Sequence, residues 1–554
     1  MAGANSSGMR RLLPSLFVLA VLTLPGPATA QLAEDPTAPG PHAVTAVEYD
    51  ADRTIVTGDR GVPYPEELRG SLHVPDGAGP FPVVLLVHGR HGTCRVVVAE
   101  TLGQPCPETA ATASVRSYRG YDYLARNLAS HGYLVVSANA NGVNTFDTTS
   151  TQTGGSKERA QVIARTLDLI DSWNKGPGPG DVGSKLVGRV DLQRIGLMGH
   201  SRGGEGVTEF ISYNRTRTDG PQYPGVRAVL ALAATDFGDQ TPTGVHFGAL
   251  LPLCDGDVSD LQGGDAYDRS RFAGSLSSPF SRHQWVVEGA NHNYFNTIWT
   301  ADDNSDTTGA CTDSSPQRLT ADAQRTIGVA LVNGFFRRYI GGETQFDNML
   351  RGVDPMPSTV CPDGIVTCDE VVRTSYLAPP AKRDLLVRPV PGVRPALTGG
   401  VSIADCKGGT GGSPACPSAP NRSLAEQWTM RWSAPGVVRI PSQTPRNVSG
   451  FDALSFRAAF NAGRSENGSR VQQNFDIVLI DADGNRAAVA AAEDGAALRL
   501  LPDRVTDHVI LGGVWIPLSR FAGVDLTRIA AVELVVGQRT ASGSVQLAEL
   551  GFQR

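Results

Sequence analysis

A serine between closely spaced glycines is the first feature of this sequence that points to chemistry. Ser201 lies in the segment Gly199-His-Ser-Arg-Gly-Gly204, which contains the pattern G-x-S-x-G. The apolar run Ile195–Met198 leads into it and a helical pattern follows it, which places the serine on a sharp turn from strand to helix. Taken alone, the pentapeptide would also fit a glycine-rich turn. With both flanks in place, the sequence predicts Ser201 as a nucleophile.

A serine hydroxyl needs a general base near neutral pH, and that base should lie at the end of a later strand. His292 meets this condition, because it closely follows a predicted strand at 284–288. His283 begins the same strand and is expected at the opposite edge of the sheet. His292 is therefore the predicted base, and activity should fall below roughly pH 6 to 7 as an ordinary histidine becomes protonated.

The carboxylate that orients this base should lie between the serine and the histidine in chain order, just after a strand. The segment after the predicted strand 248–253 offers Asp255 and Asp257. Asp257 is the first choice, because Gly256 before it permits a tight turn. Asp255 is the alternative.

A tetrahedral intermediate needs two hydrogen-bond donors for its oxyanion. One should be the backbone N–H of Arg202, directly after the predicted nucleophile. The other should come from the turn after the early strand 81–88, where Arg90 is the first choice and His91 the substitute. His88 and His91 could also suggest a metal site, but no third ligand is evident, so His88 is interpreted as supporting the turn.

Apolar and amphipathic runs alternate between about residues 44 and 340, which is typical of helices packed on a mainly parallel, doubly wound sheet. Such sheets bind ligands beyond the C-terminal ends of their strands. The predicted strands are 81–88, 133–139, 194–198, 226–233, 248–253 and 284–288, and the predicted helices are 121–130, 157–173, 203–213 and 320–339.

The pattern changes toward the C-terminus and divides the mature chain. Residues 41–345 are predicted as an α/β catalytic domain, and 346–395, rich in Pro, Gly and Cys, as an extension and linker. Beyond 396, short strands alternate with turn residues without helices of comparable strength. Residues 396–554 are therefore predicted as a smaller all-β sandwich, jelly-roll-like in outline.

The N-terminus has the three parts of a secretory signal peptide. Arg10 and Arg11 precede the apolar run Leu12–Leu24, and Ala28-Thr-Ala30 provides a cleavage site. The alternative is an uncleaved membrane anchor, for which the run is short. Cleavage near Ala30 would release a protein without a membrane span, outside the cytoplasm.

An even number of cysteines in an exported chain predicts disulfides. Short loop closure favours neighbouring partners, and spacing typical of metal ligands is absent from the sequence. The eight cysteines would then pair as Cys94 with Cys106, Cys254 with Cys311, Cys361 with Cys368, and Cys406 with Cys416.

The region from about 44 to 340 resembles the α/β-hydrolase superfamily. Its block Gly199–Gly204 is similar to the branch of chlorophyllases, cutinase-like polyester hydrolases and dienelactone-hydrolase relatives. Many relatives carry glycine where Cys254 precedes the acid. The resemblance implies ester substrates, and the sequence as a whole predicts neither a cofactor nor a metal. It also implies a triad of Ser201, Asp257 and His292, with Arg90 and Arg202 as oxyanion donors.

Composition narrows the partners of the protein. The formal net charge of -6 is small for 554 residues and no basic stripe occurs, which argues against nucleic acid. The segment after 396 is similar in outline to carbohydrate-binding modules, so a polysaccharide ligand and a purely stabilising role both stay open. The sequence thus predicts a secreted serine hydrolase acting on small or polymeric carboxylic esters. The alternatives are a secreted serine peptidase with the same triad and a non-catalytic binding protein on the same fold.

Overall fold

Two large β-sheets, one of them covered by helices, make up the fold. The computed structural model describes residues 1, 3 and 34–554, with gaps at 97–98, 102–105, 107–108, 110, 151–152, 307, 363–367, 369–370, 389–393, 410–411, 418–419, 471, 495 and 503–507. The proposed signal peptide lies almost entirely outside the described residues. The described residues from 34 onward belong to one compact unit.

The first part of the chain alternates strands and helices. Its strands are β1 (Val44–Thr57), β2 (Pro63–Pro75), β3 (Phe81–Val87), β4 (Cys94–Val96), β5 (Ala99–Thr101), β6 (Thr112–Ser114), β7 (Leu134–Ala138), β8 (Val190–His200), β9 (Val226–Leu232), β10 (His246–Pro252), β11 (Arg282–Val287) and β12 (Val372–Leu377). Its helices are α1 (Asp122–Ser130), α2 (Asn141–Ser150), α3 (Ser156–Lys175), α4 (Arg202–Thr216), α5 (Gly263–Ser270), α6 (Ala321–Tyr339) and α7 (Asp347–Arg351).

The larger sheet of this part has the order β1-β2-β7-β3-β8-β9-β10-β11-β12, while β4, β5 and β6 form a small separate sheet. The strands from β7 to β11 run parallel, and β1, β2 and β12 pair antiparallel at the two sides. Alternate residues of a strand point to opposite faces, so in β3 Val84 packs with α1 and α6 while Val83 packs with α3 and α4. This part is an α/β unit with a mixed sheet, as the alternation of patterns predicted in outline.

The C-terminal part is all β, as predicted. Its strands are β13 (Arg383–Val387), β14 (Ala396–Lys407), β15 (Glu426–Arg446), β16 (Ala453–Phe460), β17 (Asp476–Asp481), β18 (Arg486–Ala490), β19 (Gly512–Pro517), β20 (Ile529–Val536) and β21 (Gly543–Gln553). They pair antiparallel in the order β18-β17-β20-β15-β21-β16-β19, with β13 on β21 and β14 on β15. Its buried core includes the aromatic side chains of Trp428, Trp432 and Phe475.

The segment 346–395, predicted as an extension and linker, is built into both sheets. It contributes β12 to the edge of the first sheet, beside β11, and β13 to the second sheet, beside β21. Tyr376 on β12 packs against Trp515 on β19, and the hydroxyl of Ser375 donates to the carbonyl of Leu511 at 3.3 Å. The two sheets are therefore joined by shared packing along this segment.

All four predicted disulfides are present: Cys94–Cys106, Cys254–Cys311, Cys361–Cys368 and Cys406–Cys416. Cys254 follows β10, and its partner lies in the loop that precedes α6. Among the helices of the described residues, none has the length and apolar character needed to cross a membrane.

Candidate active site

Ser201 occupies a tight turn between β8 and α4. Its backbone lies in an unusual region for a residue with a side chain, at φ 58° and ψ −128°. The turn is fixed by a hydrogen bond from the Ser201 N–H to the carbonyl of Leu232, 2.9 Å long. A Cβ at Gly199 would overlap the backbone of Gly203, and one at Gly204 would lie 2.6 Å from the side chain of Ala234. The glycines of the motif are therefore required by close packing of backbone around the serine.

His292 follows β11 and is bonded to a buried carboxylate. Its Nδ1 donates to Asp255 Oδ2 at 2.8 Å, and the side chains of both residues are almost fully buried. The other oxygen of Asp255 accepts from the N–H groups of Asp257 at 3.0 Å and Val258 at 2.6 Å. These bonds fix the carboxylate, and through it the orientation of the imidazole ring.

Asp257, predicted as the orienting carboxylate, lies on the Nε2 side of the His292 ring instead. Its side chain is 65% exposed, and its Oδ2 is 3.5 Å from His292 Nε2 rather than close to Nδ1. Gly256 favoured Asp257 in the sequence because glycine permits a tight turn, but the structure shows another reason for glycine at this position. Its N–H donates to Asp303 Oδ2 at 2.6 Å, and a Cβ there would overlap the backbone of Asp303. Asp255, the alternative, takes the place beside Nδ1 that was predicted for Asp257.

The surroundings of His292 favour its charged form. Burial disfavours protonation, but the carboxylates of Asp255, Asp257 and Asp303 outweigh burial and raise the pKa of His292 to about 9. An imidazole with this pKa is largely protonated at neutral pH. The expectation that activity falls only below pH 6 to 7 therefore does not fit this environment.

Ser201 and His292 lie at the same edge of the sheet. The ring of His200, the residue before the serine, has its centroid 4.8 Å from that of His292, and Ser201 and His292 are each 2% exposed. Within the described part of the chain, the Ser201 hydroxyl makes no hydrogen bond to His292. The Nε2 atom that would have to face the serine has the Asp257 carboxylate as its neighbour instead.

The turn after β3 passes directly beside Ser201. A Cβ at Gly89 would lie 2.5 Å from the serine Cβ and 3.1 Å from its Oγ. His88 supports this turn with both ring nitrogens: Nδ1 donates to the Gly89 carbonyl at 2.8 Å, and Nε2 accepts from the N–H of Ala140 at 2.9 Å. This use of both nitrogens agrees with a supporting role and leaves neither for a metal.

Arg90 and Arg202, whose backbone N–H groups are the predicted oxyanion donors, lie side by side. Arg90 Nε donates to Asp147 Oδ1 at 3.1 Å, and Arg202 Nη1 donates to Asp147 Oδ2 at 2.9 Å. Both arginines border a cavity of about 420 Å³ together with Ser201. The rest of its wall comes from Thr235, Phe237, Asp257, Val258, Ser259, Asp260 and Gln262.

Two features of the site were not predicted from the sequence. One is Asp147, whose helix α2 lacks an apolar stripe that would have revealed it. The other is Trp299, which stacks between His91 and His200 with ring centroids 5.0 Å from each. Trp299 lies in a loop, where neither spacing nor a motif marks it.

No model of a known protein family matches this chain, and no curated protein matches it. Functional roles for its residues therefore rest on geometry and chemistry.

Proposed function

We propose that this protein is a secreted serine hydrolase of the α/β-hydrolase type that cleaves carboxylic esters. The observation that carries the proposal is the buried hydrogen bond from His292 to Asp255, at the sheet edge where Ser201 lies on its tight turn. The three residues follow β8, β10 and β11, which are parallel. A nucleophile, a base and an acid at neighbouring strand ends are the groups that acyl transfer requires.

The proposed reaction has two steps. His292 Nε2 takes the proton of the Ser201 hydroxyl while Oγ attacks the ester carbonyl carbon, and the imidazolium then gives that proton to the departing alcohol. Water, activated by the same nitrogen, attacks the acyl-enzyme and releases the acid. Asp255 holds the ring and stabilises its charged form. The backbone N–H groups of Arg90 and Arg202 would donate to the oxyanion of each tetrahedral intermediate.

Proton transfer requires Asp257 to leave Nε2. Its carboxylate is mostly exposed, and the 3.5 Å separation from the ring is longer than a strong charged hydrogen bond. A turn of this side chain toward solvent would open Nε2 to the serine. Asp257 would then influence the protonation of His292, while Asp255 orients its ring.

A substrate panel tests the proposal. The purified protein is assayed with p-nitrophenyl esters of increasing acyl length and with peptide p-nitroanilides, beside Ser201→Ala and the control Ser259→Ala from the same cavity wall. The proposal expects turnover of esters that Ser201→Ala abolishes and Ser259→Ala retains. Turnover of the anilides alone would favour a peptidase. Ester turnover that survives Ser201→Ala would overturn the assignment of the nucleophile.

A further inference from the structure

A single buried carboxylate joins the two elements that flank the candidate nucleophile. The side chain of Asp147, on α2, has no exposed surface, and it pairs with Arg90 from the turn after β3 and with Arg202 from the start of α4. A third guanidinium, that of Arg159 on α3, lies 3.6 Å from the same carboxylate and is also buried. Three cations thus converge on one anion, and two of them, Arg90 and Arg202, border the same cavity as Ser201.

The face of α2 that carries Asp147 also binds the backbone of the turn after β3. Asn144, one helical turn before Asp147, donates from Nδ2 to the carbonyl of Gly89 at 3.0 Å. Its Oδ1 accepts from Arg159 Nη2 at 2.5 Å. Arg159 in turn donates to the carbonyls of Gly154 and Gly155, at 2.8 and 3.1 Å. The turn is therefore held to α2 both through its main chain and through the side chain of Arg90.

We propose that Asp147 is a positioning residue that sets the oxyanion-binding geometry by fixing Arg90 and Arg202 relative to each other. This inference rests on the proposed function. Two donors stabilise an oxyanion only when both N–H groups lie about 3 Å from the same point, and here they belong to separate elements. Asp147 Oδ1 accepts from Arg90 and Oδ2 accepts from Arg202, so one rigid carboxylate connects the two elements.

Asp147→Asn removes this bridge with little change in shape. The side-chain amide has one acceptor oxygen instead of two, so it cannot bind both guanidinium groups as the carboxylate does. One of the two arms should then relax away from its position. The carboxylates with the largest effect on the pKa of His292 are those of Asp255, Asp257 and Asp303, all unchanged in this variant, so the base should titrate nearly as before.

The test compares Asp147→Asn with Asp171→Asn, a control that loses an ion pair with Lys175 on the outer part of α3. We expect kcat for a p-nitrophenyl ester to fall about 10- to 100-fold in Asp147→Asn, with KM changed less than about twofold, because the contact acts on the transition state. The affinity for an arylboronic acid, which forms a tetrahedral adduct on the serine, should fall by a similar factor. The pH midpoint should not move, and Asp171→Asn should match the wild type.

A second variant keeps the test valid if Asp147→Asn folds poorly. Arg202→Gln leaves the backbone donor in place but removes its tie to Asp147, and we expect a smaller loss of kcat and of boronate affinity. In the double variant Asp147→Asn/Arg202→Gln, kcat and boronate affinity should fall no further than in Asp147→Asn alone, because both changes break the same contact. Multiplicative losses, or unchanged kcat and boronate affinity in folded variants, would overturn the inference. Failure of the proposed function is distinct, because the wild type would then neither turn over esters nor bind the boronate.

Discussion

At the scale of residues, three carboxylates around His292 determine how the site should respond to pH. A general base must be neutral, and Asp255, Asp257 and Asp303 raise the pKa of His292 to about 9. We therefore expect kcat/KM for a neutral ester to rise with pH and to level off only above about pH 9. A pH profile of initial rates measures this directly. A plateau that already begins near pH 6 would contradict the assigned environment.

Removing one of these charges should move the profile. Asp257→Asn lowers the negative charge beside Nε2 without touching the bond at Nδ1, so the rising limb should shift to lower pH. Asp260→Asn is the matched control, because Asp260 borders the same cavity, while the charges with the largest effect on the pKa of His292 are those of Asp255, Asp257 and Asp303. An identical profile for the two variants would show that Asp257 does not act on the base.

The same shift has a consequence for stability. The folded-state pKa of His292, about 9, lies above its ordinary value of 6.5. The ion pairs of the charged ring thus stabilise the fold fully below about pH 6.5, and this contribution is lost as the pH rises through about 9. Activity and this part of the stability should therefore change in opposite directions with pH.

Substitutions of Asp255 and Asp257, the two aspartates in the turn after β10, should differ sharply in their effect on kcat. Asp255→Asn replaces the acceptor of the Nδ1–H bond, and the same change in a serine triad lowers kcat roughly 10⁴-fold. Asp257→Asn should change kcat less than about tenfold at alkaline pH, because its carboxylate lies on the solvent side. Steady-state kinetics of both variants decide between them. A larger loss in Asp257→Asn would restore Asp257 as the orienting acid.

Sequence patterns placed Ser201 and His292 at strand ends, because apolar strands and glycine-rich turns are local features. The choice between Asp255 and Asp257 was not local. Asp303, which lies 47 positions after Gly256, binds the N–H of that glycine, so the conformation of this turn involves a residue distant in the chain. The spacing of residues within the turn after β10 cannot reveal a contact between Gly256 and Asp303.

Among the elements, the turn between β8 and α4 requires glycine at position 199, where a Cβ would meet backbone. Gly199→Ala would force a Cβ into the backbone of Gly203. We expect a loss of about 1–3 kcal/mol or more in the free energy of unfolding, together with loss of activity. Gly176→Ala, where a Cβ meets nothing within 4 Å, should change neither. Thermal unfolding and ester turnover of both variants test this, and a fully active Gly199→Ala would argue against the role assigned to this turn.

Elements with strong periodicity were predicted well, including the buried strands β3 and β7 and the helices α3 and α6. Others lacked such a signal. Strand β1 is largely exposed along its length, and α2 carries only two large apolar side chains among its Asn and Thr residues. Their conformation depends on neighbours distant in the chain. Asp147, the bridge between the two arginines, was missed for this reason.

For the molecule as a unit, the C-terminal part contacts the residue that directly follows β11, on the way to His292. Glu288, directly after β11, pairs with Arg373 on β12 at 2.7 Å and with Arg499 of the C-terminal part at 3.0 Å. Farther along the interface, Asp268 binds Arg457 on β16 at 2.6 Å, and both side chains are buried. These contacts favour a supporting role for the C-terminal part, while polysaccharide binding stays a prediction.

The two parts should therefore unfold together. We expect one cooperative transition in calorimetry of the full chain. Arg457→Ala should lower its stability by about 3–5 kcal/mol, because it leaves Asp268 buried with one partner fewer. Arg528→Ala, which breaks an exposed pair with Asp483, should cost no more than about 1 kcal/mol. Two separate transitions, or equal effects of the two variants, would contradict this coupling.

Covalent labelling can show whether Ser201 is a nucleophile activated by His292. The folded protein is treated with a fluorophosphonate probe, and the adduct is measured by intact mass and located by peptide mass spectrometry. We predict one adduct per chain on Ser201, absent in Ser201→Ala and formed far more slowly in His292→Ala. Folded wild-type protein that stays unlabelled, or carries its adduct on another residue, would contradict this assignment.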